Sequence, residues 1–294
     1  MIWLLLLTGA FTVNAGAGAS IAGAPDAKPA FGVFTNPQPL TIEGYSQDAM
    51  EPFVSPDGNY LFFNNSNSAP DTNLYYATPV DETGLTFRFQ GEIGGVNSTF
   101  LDAVASMDVN NTFYFVSNRS YAQTFSTIYW CTFSDGSCSG VAIVPGISKL
   151  TPGDVNFDAC ISPDGSTLYF DDGVYTAGGD LLSASISMAR RAGSQFARVE
   201  NSARIMRKIN MHGLNYAPDI SKSGLEFFFT RFDGTLPAIY TATRAKISKP
   251  FGKPRKIEAI TGFAEAPALS PDEKSLYYHE NVNGTFVIYR VTRP

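Results

Sequence analysis

The sequence predicts an all-β fold: a five-bladed β-propeller of four-stranded antiparallel blades, its ring closed by an N-terminal strand. Three observations predict it. A cassette recurs five times, every piece between its copies reads as a short strand, and the last copy stops one strand short. The cassette begins as Glu51-Pro-Phe-Val-Ser-Pro-Asp-Gly-Asn-Tyr-Leu-Phe-Phe63 and returns at residues 102–108, 158–170, 217–229 and 266–278. Its shared serines, Ser55, Ser106, Ser162, Ser221 and Ser270, stand 51, 56, 59 and 49 residues apart. A period near 50 built from strand-like pieces signals small sheets arranged radially.

Each cassette opens with a short strand, such as Pro52-Phe-Val54 or Ala159-Cys-Ile161, and turns at Pro56-Asp57-Gly58, Pro163-Asp164-Gly165 or Ser223-Gly224. Proline presets φ at the first turn position and glycine supplies the positive φ that closes the hairpin. The second strand is aromatic, as in Tyr60-Leu-Phe-Phe63 and Glu226-Phe-Phe-Phe229. A third follows, as in Asn73-Leu-Tyr-Tyr-Ala77, and a weaker fourth, as in Gln195-Phe-Ala-Arg-Val199. The fifth copy has no fourth strand before Pro294. Residues 31–44 echo residues 251–262, the outer strand and exit of blade four, and are expected to supply it. A ring closed by both ends of the chain leaves no free sheet edge between its first and last blades.

Bulk properties narrow the class. Among 294 residues only 16% are charged while 13% are aromatic, which suits many half-buried strands and excludes disorder. A net charge of −6 argues against nucleic acid, which demands a concentrated basic surface. The one basic cluster, Lys246 to Lys256, is diluted by two prolines. The expected organisation is a signal peptide at 1–15, a flexible leader at 16–29 and one propeller domain at 30–294. The apolar start ending in Val13-x-Ala15 has the length of a secretory signal and is too short to span a bilayer, although it lacks the usual Lys or Arg ahead of it. A secreted or periplasmic location is therefore expected.

The cassettes resemble the TolB-type, WD-repeat-like propeller repeat, whose hallmark is Ser-Pro-Asp-Gly ahead of an aromatic strand. The likeness covers residues 30 to 294. It is degenerate in blade two, at Ser106-Met-Asp-Val-Asn, and in blade four, at Ser221-Lys-Ser-Gly. That resemblance implies exported propellers that bind proteins or sugars, with some hydrolases and lyases among them. It assigns no catalytic residue here.

The residue four before each shared serine is Glu51, Asp102, Asp158, Ala217 or Ala266, with Glu265 one step earlier in blade five. In a propeller these positions ring one mouth of the central channel. Clustered carboxylates there raise one another's pKa or hold a divalent cation such as calcium; otherwise they are structural, each capping its strand. If the chain is an enzyme, Glu51, Asp102 and Asp158 are its catalytic acids, since glycosidases need paired carboxylates. Five-bladed arabinanase-type hydrolases carry three acids on successive blades, and this trio looks similar in position. Around it, Arg119, Asp172, Arg231, Glu265 and His279 are the expected ligand contacts. Arg119 and Arg231 also suit pairing with the channel acids, and His279 suits a structural partner.

Other chemistries lack their residues. With two histidines, and no His/Cys cluster at ligand spacing, no resident metal or cofactor is expected. No nucleophile elbow or phosphate loop occurs. Cys131 and Cys138 flank a hairpin turn and are expected to pair as a disulfide; Cys160 reads as a small buried hydrophobe. Sequons at Asn64, Asn97, Asn110, Asn118 and Asn283 would mark surface loops in a eukaryotic host. The favoured function is a non-catalytic binding module for a protein or glycan on the channel-mouth face. The alternative is a glycan-active hydrolase or lyase. A monomer with no membrane span and no nucleic-acid partner completes the expectation.

Overall fold

The computed structural model describes residues 31–68 and 70–294; the expected signal peptide and leader lie outside them. The described chain forms five sheets arranged as a ring, each built on four antiparallel strands. The inner strands, one per blade, are Met50–Val54, Asp102–Met107, Asp154–Ile161, Leu214–Ile220 and Ala264–Leu269. Both faces of each blade are covered by neighbours, so inner and second strands lack the polar alternation of a one-sided sheet. The second strands Leu61–Asn64 and Thr112–Ser117 are buried almost throughout. No described helix is long and apolar enough to cross a membrane.

The core is a set of slabs between adjacent blades, not one central mass. Phe62 of blade one meets Phe113 of blade two edge-on at 5.1 Å, and Tyr169 of blade three meets Phe227 of blade four at 5.1 Å. Phe228 and Ile239 pack with Leu276 and Tyr278 between blades four and five; Leu61 and Phe63 pack with Tyr277 and Ile288 between one and five. Aromatic rings dominate because they cover the most area per residue and prefer these tilted contacts.

The recurring serine is a turn device. Ser55 Oγ donates to Asp57 at 2.5 Å and accepts the Tyr60 N–H at 3.0 Å, and Asp57 takes the Asn59 N–H at 3.0 Å. The same bonds recur at Ser162–Asp164 and Ser270–Asp272. Blade two corrects the expected register. There Asp108 performs both roles, its Oδ1 accepting from Asn110 at 2.8 Å and Thr112 at 3.0 Å. Asp108, not Ser106, is therefore the counterpart of Ser55, and every inner-strand position of blade two read from Ser106 moves by two.

Ring closure uses the N-terminal segment, with its register shifted. Thr35–Pro39 runs antiparallel to Thr285–Thr292, pairing Thr35 with Thr292 and Pro39 with Tyr289, and becomes the fourth strand of blade five. Thr41–Glu43, read as part of that strand, instead turns to blade one and runs parallel to Thr86–Glu92. Leu40 marks the crossing, its N–H bound to Ile288 O at 2.8 Å.

Candidate functional site

The channel wall is built from one repeated backbone distortion. Each inner strand carries a bulge whose first residue is left-handed: Glu51 (φ 51°), Val104 (56°), Asp158 (46°), Ala217 (50°) and Ala266 (57°). A non-glycine residue there costs about 1–2 kcal/mol, and bonds between blades offset it. The Glu51 N–H donates to His279 Nδ1 at 3.1 Å, Val104 to Asn64 Oδ1 at 3.1 Å, Ala217 to Asp171 Oδ2 at 3.0 Å and Ala266 to Thr230 Oγ1 at 3.0 Å. The acceptors hold one position at the end of the second strand, where blade two presents Val116. The belt forms equally around valine and alanine, so the Glu51 and Asp158 side chains are additions to it.

Those additions converge. Glu51 feels the charges of Asp158 and Glu265, and Asp158 that of Glu265. Asn67 Nδ2 donates to Glu51 Oε1 at 2.7 Å, and the Tyr216 hydroxyl donates to Glu265 Oε1. His279 is fully buried, with Nε2 3.2 Å from Glu265 Oε2. Because Nδ1 already accepts the Glu51 N–H, the Nε2–H tautomer satisfies both neighbours. Asp158 Oδ2 shares the Ala217 N–H with Asp171, at 3.1 Å. Asp171 Oδ1 is buried without a donor, and the neighbouring Asp158 carboxyl group favours the protonated form of Asp171.

Burial is the main cause of the shifts. It pushes Glu51 up to about 8, helped by the charges of Asp158 and Glu265 and opposed by His279 and Asn67. It lifts Asp158 to about 7 against the bonds from Asp171 and Ala217, and drives Asp171 well above the carboxylate range. For His279 burial pulls down, but the Glu265 bond and the Glu51 charge outweigh it and the pKa rises. One layer deeper, burial lifts Asp219 to about 6 although the Leu269 N–H binds it at 2.6 Å; Cys160 Sγ lies 3.4 Å away. At the bulges the channel encloses about 30 Å³, room for water but not for a sugar ring. Among the described residues no three His, Cys, Asp or Glu side chains take up a metal-binding arrangement.

The expected trio therefore divides. Glu51 and Asp158 occupy equivalent bulge positions, whereas Asp102 lies two residues before the blade-two bulge. Asp102 is fully buried, takes the Ser98 N–H and hydroxyl at 2.6 Å each and is ion-paired with Arg119. Arg231 finds no channel acid, donating instead to Asn215 Oδ1 at 2.8 Å and Ile209 O at 2.7 Å. Its counterpart in sequence register is Ser117, not Arg119, yet the two guanidinium groups lie over equivalent ring pairs, Phe115–Tyr129 and Phe229–Tyr240. Asp172 is gripped by Arg198 at 2.7 and 2.8 Å, with Lys149 at 3.8 Å. Sequence reasoning missed Arg198, Asn67 and Tyr216, which reach the site from an outer strand, a loop and the bulge step of blade four. The serine alignment already sets Tyr216, five residues before Ser221, against Glu265, five before Ser270. The sequon Asn64 is buried with both amide atoms engaged, so it marks no surface loop.

No protein-family model and no curated protein matches the sequence. Among solved structures the chain is similar to a glycoside hydrolase, over 89% of this chain and 93% of that one (TM-score 0.62, 10% identity). It is also similar to a family 117 glycoside hydrolase produced by the marine bacterium Zobellia galactanivorans, over 89% and 90% (0.56, 11%). TolB from Acinetobacter baumannii aligns over 84% of this chain (0.46, 16%), and the chain spans 55% of its length. These likenesses are of the β-propeller fold.

Proposed function

We propose that the chain is a non-catalytic binding propeller, exported from the cytoplasm, that presents its channel-mouth face to a protein partner. One observation carries this reading. Phe100, Leu150, Met211 and Leu236 lie in loops that enter an inner strand or join second strand to third, and Leu182 stands at the start of the third strand of blade three; all five, 46–65% exposed, fall at that one end of the blades. Exposed apolar side chains collected around a polar centre mark interaction surfaces. The acids beneath are held by internal hydrogen bonds in a channel too narrow for a saccharide. The apolar start supports export, and the sulfur atoms of Cys131 and Cys138, with Cα atoms 5.7 Å apart, are within bonding reach across their hairpin. Intact mass before and after reduction checks both: loss of residues 1–15 and a two-proton gain are expected.

A glycan-active hydrolase or lyase is the second reading, favoured by Glu51 and Asp158 titrating near neutrality, as a general acid must. Two experiments separate the readings. Photo-crosslinkers placed at Leu150 and Leu182 should capture a discrete partner that the same probe at Val109, on the opposite face, does not. A polysaccharide-degradation screen should show no turnover; turnover lost on Glu51→Gln or Asp158→Asn, with folding intact, overturns the binding reading.

A further inference from the structure

Three blades share an arginine at the end of the third strand: Arg191, Arg244 and Arg293. Each donates Nε to a carbonyl of its own blade's cassette turn, Gly165 at 2.9 Å, Gly224 at 2.7 Å and Glu273 at 2.7 Å. Each lies over an outer phenylalanine, Phe196 at 4.9 Å, Phe251 at 4.4 Å and Phe34 at 4.6 Å. The remaining donors face the preceding blade, and there the three differ. Arg191 reaches the Tyr114 hydroxyl and has Asp108 Oδ2 at 3.7 Å. Arg293 donates to both Glu226 oxygens, at 2.9 and 2.8 Å. Arg244 has only the Tyr169 hydroxyl, at 3.3 Å. Its Nη1 has no partner although the residue is 6% exposed. Blade three holds Ser162 and Thr167 where blades two and four hold Asp108 and Glu226, so Arg244 lacks the carboxylate its sisters have.

A cavity of about 360 Å³ opens at that spot between blades three and four, on the cassette-turn face and away from the channel mouth. Arg190, Arg191, Lys222 and Arg244 line it against a single carboxylate, Asp164, whose oxygens already accept from Ser162 and Ser166. This concentration of positive charge stands out in a chain of net charge −6. A buried guanidinium with a free donor and no counter-charge is an unfilled half of a charge-assisted bond. The volume lies in the range of small-molecule pockets, larger than a bare ion needs.

We propose that this cavity binds a small anionic ligand, whose phosphate, sulfate or carboxylate group sits on Arg244 in the place of the missing carboxylate. Arg190 and Lys222, both exposed, meet the anion at the rim.

Calorimetric titration at constant ionic strength tests this with inorganic phosphate, inorganic sulfate, acetate and glucose 6-phosphate as separate probes. At least one should bind saturably at one site per chain, with Kd of about 1 mM or tighter. Which probe binds best identifies the oxyanion, and a gain for glucose 6-phosphate over phosphate reads out the organic body. Thr167→Glu and Ser162→Asp install the carboxylates of the sister blades and should weaken binding at least tenfold, as Arg244→Gln should. Thr167→Glu should also hold or raise Tm in the absence of ligand, so the test survives if Arg244→Gln fails to fold. Absence of saturable binding by every probe up to about 10 mM, or equal binding by wild type and Thr167→Glu, overturns the proposal.

Discussion

At the scale of single residues, the carboxyl groups around the channel set a direction for pH. Glu51 has a native pKa of about 8 against 4.5 unfolded, and Asp158 about 7 against 3.8. Both are raised, so between these values the native state holds protons that the unfolded chain releases. Their contribution is complete below about pH 4 and is lost as pH rises through 7 to 8. Thermal unfolding should show Tm falling between about pH 5 and 8.5, with a shallower slope in Glu51→Gln; a rising Tm would contradict the burial argument. Asp102 makes the opposite test. Replacing it with Asn leaves Arg119 beside a buried site without its counter-charge, a loss of about 3–5 kcal/mol by urea denaturation. Adding Arg119→Gln should restore part of that loss. Glu51, Asp158, Glu265 and His279 were all legible as channel residues, because position relative to the cassette places them. Asp102 was misplaced because in blade two one aspartate does the work of a serine and an aspartate together. A pattern search for serine therefore stopped two residues early.

At the scale of elements, the strands were readable because the cassette fixes both ends of the first hairpin. The clasp was readable only in outline. Thr35-Asn-Pro-Gln-Pro39 carries no strand-like periodicity, whereas Leu40-Thr-Ile-Glu43 does, so the eye places the strand too late. Tertiary packing selects residues 35–39: Phe34 inserts between Phe228, at 5.9 Å, and the Arg293 guanidinium, fixing the register of the strand that begins at Thr35. Two outcomes are expected. Deleting residues through Gly44 should abolish cooperative unfolding, and a truncated chain with the Tm of the intact one would remove the clasp argument. Phe34→Ala should cost about 3–5 kcal/mol, read as a Tm lowered by roughly 10 °C.

At the scale of the whole molecule, the slabs between blades make each blade's stability depend on two neighbours, and the pairing of Thr35 with Thr292 joins the series into a loop. That pairing governs time as well as energy. During synthesis or translocation from the N-terminus, the first strand of the clasp emerges early and its partner last. Until residue 292 arrives, blade one lacks blade five beside it and residues 35–39 have nothing to pair with. Bringing the ends together then carries an entropic cost on the order of 5 kcal/mol, and such distant pairing makes folding slow. The nascent chain is thus an open arc with an unpaired strand at its leading end, which is where a misassembled dimer would begin.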